Sequence, residues 1–184
     1  MYQGCNKTAL CSQKTIAEGF YELLKEKEYS KITASEICKK SGVSRQTFYS
    51  LFASKENIVA FILSKDYAFN PNEECKCYGY PTIRELSKGF SSFIVQKGDF
   101  LDLLEKNNII YLMQKSLYNS FSCCHNADNN EYLNNSLSHD LAIDFITSGL
   151  TAIAKYYVKN RTDISCTELE NIIYRLFTGE YLKE

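Results

Sequence analysis

Only two prolines and eight glycines are spread over 184 residues, so few positions force a helix to stop. A sandwich or barrel needs frequent turns and the residues that make them, so this scarcity argues against an all-β fold and for long helices. The apolar spacing agrees. Ile16, Phe20, Leu23 and Leu24 fall on one face of a helix from about Thr8 to Lys27. Three later segments begin with a Ser or Thr followed three residues on by Glu: Thr33 with Glu36, Thr82 with Glu85, and Ser165 with Glu168. Each is the signature of a capping box, in which two otherwise unpaired amides at a helix start are satisfied reciprocally. The expectation is an all-α chain of about nine helices. Lys97-Gly98-Asp99 is read as a break that ends one helix near Gln96 and leaves a short one from Phe100 to Leu104.

A composition of 45% hydrophobic and 23% charged residues is that of a packed globular protein. No run of 18 apolar residues occurs, so no membrane-spanning helix is expected. The first seven residues contain no apolar signal segment, which points to the cytoplasm. The eight cysteines are then read as free thiols in a reducing compartment. Charge is uneven. Residues 1–60 carry nine Lys and Arg against six Glu, a surplus of +3, whereas residues 61–184 carry twelve against sixteen acids. A basic head on an acidic body suits a head that meets a polyanion.

Residues 32–55 contain a short helix opened by Thr33, a turn at Gly42, and a second short helix opened by Ser44. This is the plan of a helix-turn-helix, whose second helix enters the DNA major groove. Ile37, Cys38, Val43, Phe48, Leu51 and Phe52 would fix the angle between the two helices. The outward positions of the second helix are Arg45, Gln46, Thr47, Tyr49 and Ser50. Arg and Gln can pair bidentately with guanine and adenine edges. Thr, Tyr and Lys commonly hold phosphates and set register.

Ile32-Thr33, Ile37-Cys38, Ser41-Gly42-Val43-Ser44, Thr47-Phe48-Tyr49, Phe52 and Lys55-Glu56-Asn57-Ile58 together resemble the tetracycline-repressor family of bacterial regulators over about 45 residues. The resemblance implies a DNA-binding set of Thr33, Ser35, Ser44, Arg45, Gln46, Thr47, Tyr49 and Lys55. Thr33, Tyr49 and Lys55 would touch phosphate, and Ser35, Arg45, Gln46 and Thr47 would face the groove. Ser50 and Leu51 depart from the bulkier aromatic or His common in the family. The implied organisation is a head over residues 1–53 and an effector-binding, dimerising body over residues 54–184.

The body is rich in rings; the chain has 14 Tyr and 11 Phe. Phe61, Phe69, Phe90, Phe93, Phe100, Tyr111, Tyr118 and Phe121 lie on helices that, by resemblance, surround an inducer cavity. Taken singly each ring fits core packing; collectively they suggest a pocket for an apolar or aromatic effector. The helix over residues 138–160 has apolar residues around roughly 220° of its wheel, more than one packing partner needs. Asp140, Asp144, Thr147, Thr151 and Lys155 share its remaining side. With the apolar last helix this suggests a homodimer through Ile146, Leu150, Ile153, Tyr157, Ile172, Ile173 and Leu176.

Cys75-x-Cys77 and Cys123-Cys124-His125, with His139, could ligate zinc or form a redox pair, but the spacing fits no standard zinc site. Free thiols, no metal and no cofactor are the expectation. Two histidines and no phosphate-binding glycine loop leave no nucleophile–base set, so an enzyme is not expected. The function expected is a homodimeric transcriptional regulator on a palindromic operator, a repressor released by a small molecule. The alternative is a family-like protein whose body binds a partner protein, as an activator or without DNA binding.

Overall fold

The computed structural model describes residues 6–64, 81–122, 136–161 and 163–182. These form eight α-helices: α1 (Lys7–Glu26), α2 (Ala34–Ser41), α3 (Arg45–Leu51), α4 (Lys55–Ser64), α5 (Ile83–Lys106), α6 (Tyr111–Ser122), α7 (Ser136–Asn160) and α8 (Cys166–Phe177). Short 3₁₀ turns occupy Tyr29–Lys31 and Glu180–Leu182. There is no strand among the described residues, so the all-α expectation holds.

Local chemistry sets the helix ends. Both arms of the capping boxes at Thr33 and Thr82 form, and the Ser165 hydroxyl accepts the Glu168 amide at 3.2 Å. The Ser44 hydroxyl accepts the Thr47 amide at 3.0 Å and opens α3. Gly42 ends α2 at φ 68°, in the left-handed region that costs a residue with a Cβ roughly 1–2 kcal/mol.

The head is α1 packed on α2 and α3. Ile16, Phe20, Leu24, Ile37, Phe48 and Phe52 are buried at its centre, each contributing roughly 1.5–3 kcal/mol by leaving water. Helix α4 leans on α1 on one side and α6 on the other, so it touches both head and body. In the body α5 lies against both α7 and α8, and α6 against α7.

One expected break is absent. Helix α5 runs without interruption through Lys97, Gly98 and Asp99, which accounts for eight α-helices rather than about nine. Gly98 is a contact residue, not a stop. A Cβ there would lie 3.5 Å from the Tyr157 ring and 3.3 Å from the Arg161 guanidinium, and that guanidinium pairs with Asp99 at 2.6 Å. The missing side chain lets α7 approach α5 closely.

The faces of α7 also differ from the wheel reading. Thr147 and Thr151, placed on its polar side by sequence, are buried. Their hydroxyls donate to the carbonyls one turn back, Thr147 to Ile143 at 2.8 Å and Thr151 to Thr147 at 2.7 Å. With the hydroxyl satisfied inside its own helix, each threonine presents a methyl to the core. Ile143, Leu150, Ala154 and Tyr157 share that inner face. Leu137, Leu141, Phe145 and Tyr156, between 61% and 77% exposed, line the opposite face.

Candidate nucleic-acid interface

The second helix of the motif is short, about 10 Å at 1.5 Å per residue, and is anchored from below by Phe48 and Leu51. That burial turns Arg45, Gln46, Tyr49 and Ser50 outward, and all four are exposed. The Tyr49 ring stands edge-on against buried Phe48, with centroids 5.2 Å apart, which orients a side chain that is itself 54% exposed. Arg45 donates to the Ser35 hydroxyl across the turn, so two of the expected contact residues meet and α2 helps to aim the guanidinium. Ser44 and Thr47 also meet, their hydroxyl oxygens 2.8 Å apart, and Thr47 is half-buried. Thr33 is committed to its cap: its hydroxyl donates to the Glu36 carboxylate at 2.8 Å and its amide at 2.9 Å.

The cation surplus can be located. Five of the head's lysines pair with glutamates: Lys14 with Glu18, Lys25 with Glu22, Lys27 with Glu36, Lys31 with Glu28 and Lys40 with Glu26. Among the described residues of the head, Lys7, Lys39 and Arg45 take no part in an ion pair, and these three account for the +3. Lys39 is exposed one turn along α2 from Ser35, on the face that Ser35 shares with Arg45. Sequence reading passed over it. Only the pairing of its neighbours singles it out.

Lys55 is placed differently from the other expected contact residues. Its ammonium turns inward, donating to the carbonyls of Tyr29 at 2.9 Å and Ile32 at 2.8 Å and lying 4.3 Å above the Tyr29 ring. Burial lowers its pKa, the expected effect of withdrawing an ammonium from water. Two of its three donors are therefore used to tie α4 to the chain between α1 and α2. The expected consequence separates the two lysines. Lys55→Met keeps the aliphatic stem and should lower stability by about 1–2 kcal/mol, with the salt dependence of DNA affinity unchanged. Lys39→Ala should leave the melting temperature alone and reduce the slope of log affinity against log salt by about 0.9 for each half-site. Equal slopes for Lys39→Ala and the parent chain would remove Lys39 from the interface.

Glu36 is held down to about 2, first by the hydrogen bond from Lys27 and then by the Thr33 amide and hydroxyl. A carboxylate with a depressed folded value stabilises the fold above its unfolded value, here 4.5, and the contribution is lost as pH falls towards 2. Glu36→Gln should therefore flatten the acid limb of a stability–pH curve across that window. A curve unchanged in shape would show that this cap does not titrate with unfolding.

The proposed effector rings do not line one cavity among the described residues. Phe61 and Phe100, with Tyr21, border a cleft of about 280 Å³ between α1, α4 and α5. Phe90 and Phe93 stack on each other at 5.8 Å and are buried. Phe93 also borders a void of only about 10 Å³ against α6. Phe121 is buried, Tyr118 half-buried, and Tyr111 is 55% exposed on a separate groove beside Thr151 and Lys155. Core packing places several of these rings, with Phe90, Phe93, Phe100 and Phe121 all buried. Phe69 lies outside the described residues, as do Cys75, Cys77, Cys123, Cys124 and His125. His139 is buried on α7, 3.6 Å from Asp140.

The expected dimer residues divide in the same way. Leu150, Tyr157 and Ile173 are packed inside the protomer and cannot meet a second copy. Ile146, Ile153 and Ile172 are half-buried, and Leu176 is 46% exposed.

Residues 17–61 match the model of the bacterial regulatory proteins of the tetR family. Over those residues the head is similar to that family. The match takes in α2, α3, the second half of α1 and most of α4, the elements whose geometry is described above. A relative from Lactococcus lactis subsp. lactis (strain IL1403), the HTH-type dhaKLM operon transcriptional activator DhaS, is 32% identical over 74 residues. That match covers 40% of this chain and 40% of the relative's length. A solved structure described as dihydroxyacetone kinase operon activator DhaS superposes with a TM-score of 0.55. It covers 93% of this chain and 96% of that one at 19% identity, so the likeness of fold takes in the body as well as the head. Among the described residues no helix is long and apolar enough to cross a membrane.

Proposed function

We propose that this chain is a transcriptional regulator that binds double-stranded DNA as a homodimer, one head on each half of a two-fold operator. The observation that carries the reading is the outer surface of the tetR-like head. Arg45, Gln46 and Tyr49 project together from α3, and the head's uncompensated cations include Arg45 and Lys39 beside them. In this reading Arg45 and Gln46 read bases, Tyr49 and Lys39 hold phosphates, and Ser35, Ser44 and Thr47 orient the readers. Thr33 offers phosphate the start of α2. Residues 1–53 form the head and residues 54–184 the body.

The dimer follows from the outer face of α7. Leu137, Leu141, Phe145 and Tyr156 form a stripe about 29 Å long at 1.5 Å per residue, with no partner in the protomer among the described residues. Two copies related by a two-fold axis would bury it against itself, flanked by Ile146, Ile153, Ile172 and Leu176.

The sign of regulation is proposed from the names of the similar proteins. Both are called activators, which favours activation through the body over repression relieved by a small molecule. Selection of bound duplexes from random DNA tests the core of the proposal. An inverted repeat should emerge, and a pool that stays random would overturn it. A reporter carrying the selected site upstream of a weak promoter then tests the sign: expression should rise with this chain, and a fall would restore repression.

A further inference from the structure

The joint between head and body centres on Tyr29, in the 3₁₀ turn that leads from α1 into α2. Its backbone amide donates to the Asn107 side-chain oxygen at 2.7 Å, from a residue 78 positions away at the end of α5. Its hydroxyl donates to the Glu56 carboxylate at 2.6 Å, and its carbonyl accepts from Lys55, both at the start of α4. Its ring packs edge-on against Phe20 of α1, centroids 6.2 Å apart. One residue thus engages the first helix of the head, the connecting helix and the body. Burial and then the Glu56 hydrogen bond push the phenol well above its usual range, so it stays a donor.

The body side of the joint is stiff. Asn107 is the C-cap of α5, and its side-chain amide donates to the Leu103 carbonyl at 2.9 Å. Asn108 follows in the left-handed region at φ 58°, the Ile109 amide closes on the Leu104 carbonyl at 2.9 Å, and Ile109 and Ile110 are buried. The head side is equally fixed. Four residues beyond Tyr29, Thr33 caps α2, and Ile32 between them is buried. A rigid turn of the body is therefore hydrogen-bonded to the chain that positions α2, and α2 in turn holds Arg45 through Ser35.

We propose that Asn107 and Tyr29 form the joint through which the α5–α6 turn of the body sets the orientation of the helix-turn-helix. The proposal rests on the DNA-binding reading. It assigns Asn107 a positioning role: with the joint intact, both heads of a dimer are held at one angle, and two half-sites can be engaged together. Anything that displaces the turn between α5 and α6 changes that angle without touching α3. The effect is a population shift between head orientations, and it can change affinity only by the difference in DNA binding between them.

The test uses the full-length chain, the selected duplex and an unselected duplex, with hydrogen exchange over residues 28–41. Asn107→Ala should weaken binding to the selected duplex by about tenfold, within the usual 5- to 150-fold range of coupling between sites. Binding to the unselected duplex should stay within about twofold, because Lys39 and Arg45 are untouched. Exchange at the Tyr29 amide should accelerate. Asn107→Asp keeps an acceptor for that amide and should restore both readouts. If Asn107→Ala binds the selected duplex as the parent does, the joint does not set head orientation. If Asn107→Asp is as weak as Asn107→Ala, the loss comes from the Leu103 cap and the proposal fails. If the parent chain prefers no duplex, the DNA-binding reading fails instead. Exchange then decides the joint: acceleration spreading from Tyr29 into α2 in Asn107→Ala supports it, and an unchanged pattern overturns it.

Discussion

Phe145→Glu is expected to turn a dimer into a monomer that still folds. Phe145 is 72% exposed on α7, so its replacement removes nothing from the core of the protomer. In a two-fold interface the change acts twice. Each copy loses roughly 1.5–3 kcal/mol of apolar burial and would have to desolvate a carboxylate, which costs several kcal/mol more. A total beyond about 5 kcal/mol raises the dimer dissociation constant by more than a thousandfold. Sedimentation should then show a species of the chain mass, 21.1 kDa, at concentrations where the parent has twice that mass. Binding to an inverted repeat should fall steeply, because separated heads lose the effective concentration that a linked pair supplies. Leu150→Ala supplies the contrast. It lies on the inner face and should cost about 2–5 kcal/mol of folding stability without changing the interface directly. A Phe145→Glu chain that remains dimeric at micromolar concentration would place the interface elsewhere.

Arg45→Ala is expected to give the largest loss of sequence discrimination. A bidentate contact to a base is worth roughly 1–3 kcal/mol, and a dimer carries the substitution at both half-sites, so affinity for the selected site should fall by roughly 30-fold to 10⁴-fold. Affinity for unselected DNA should fall far less, through one phosphate-attracting charge per head. Because Arg45 is exposed, thermal stability should stay within about 0.5 kcal/mol of the parent. Competition between selected and unselected duplexes measures the ratio directly. Undiminished discrimination would take Arg45 out of the reading set and leave Gln46 as the base reader. Ser35→Ala serves as a milder version, since it removes the hydroxyl that receives the guanidinium and leaves the charge.

These two residues differ in how visible they are in the sequence. Arg45 sits in a short, strongly patterned motif. Its neighbours Phe48, Leu51 and Phe52 are apolar at helical spacing and its start is capped by Ser44, so burial and exposure follow from local order alone. The capped starts of α2, α5 and α8 were legible for the same reason: the groups that satisfy one another lie three residues apart. Phe145 was counted within a wide apolar arc, but which part of that arc faces outward could not be read. Thr147 and Thr151 look polar on a wheel and become core residues once their hydroxyls return to the helix backbone.

The amino-acid sequence by itself determined the helical class, the helix starts and the layout of the head, because those depend on propensities and on interactions within a turn or two of the chain. It also determined that the head carries surplus positive charge. The tertiary structure alone decided where that charge is available, since only pairing across helices shows that Lys27 and Lys40 are neutralised while Lys39 is not. The inward turn of Lys55, the passage of α5 through Gly98 and the reach of Asn107 to Tyr29 were decided there as well. Each depends on groups far apart in the chain that meet only when helices pack, and no local pattern encodes that meeting.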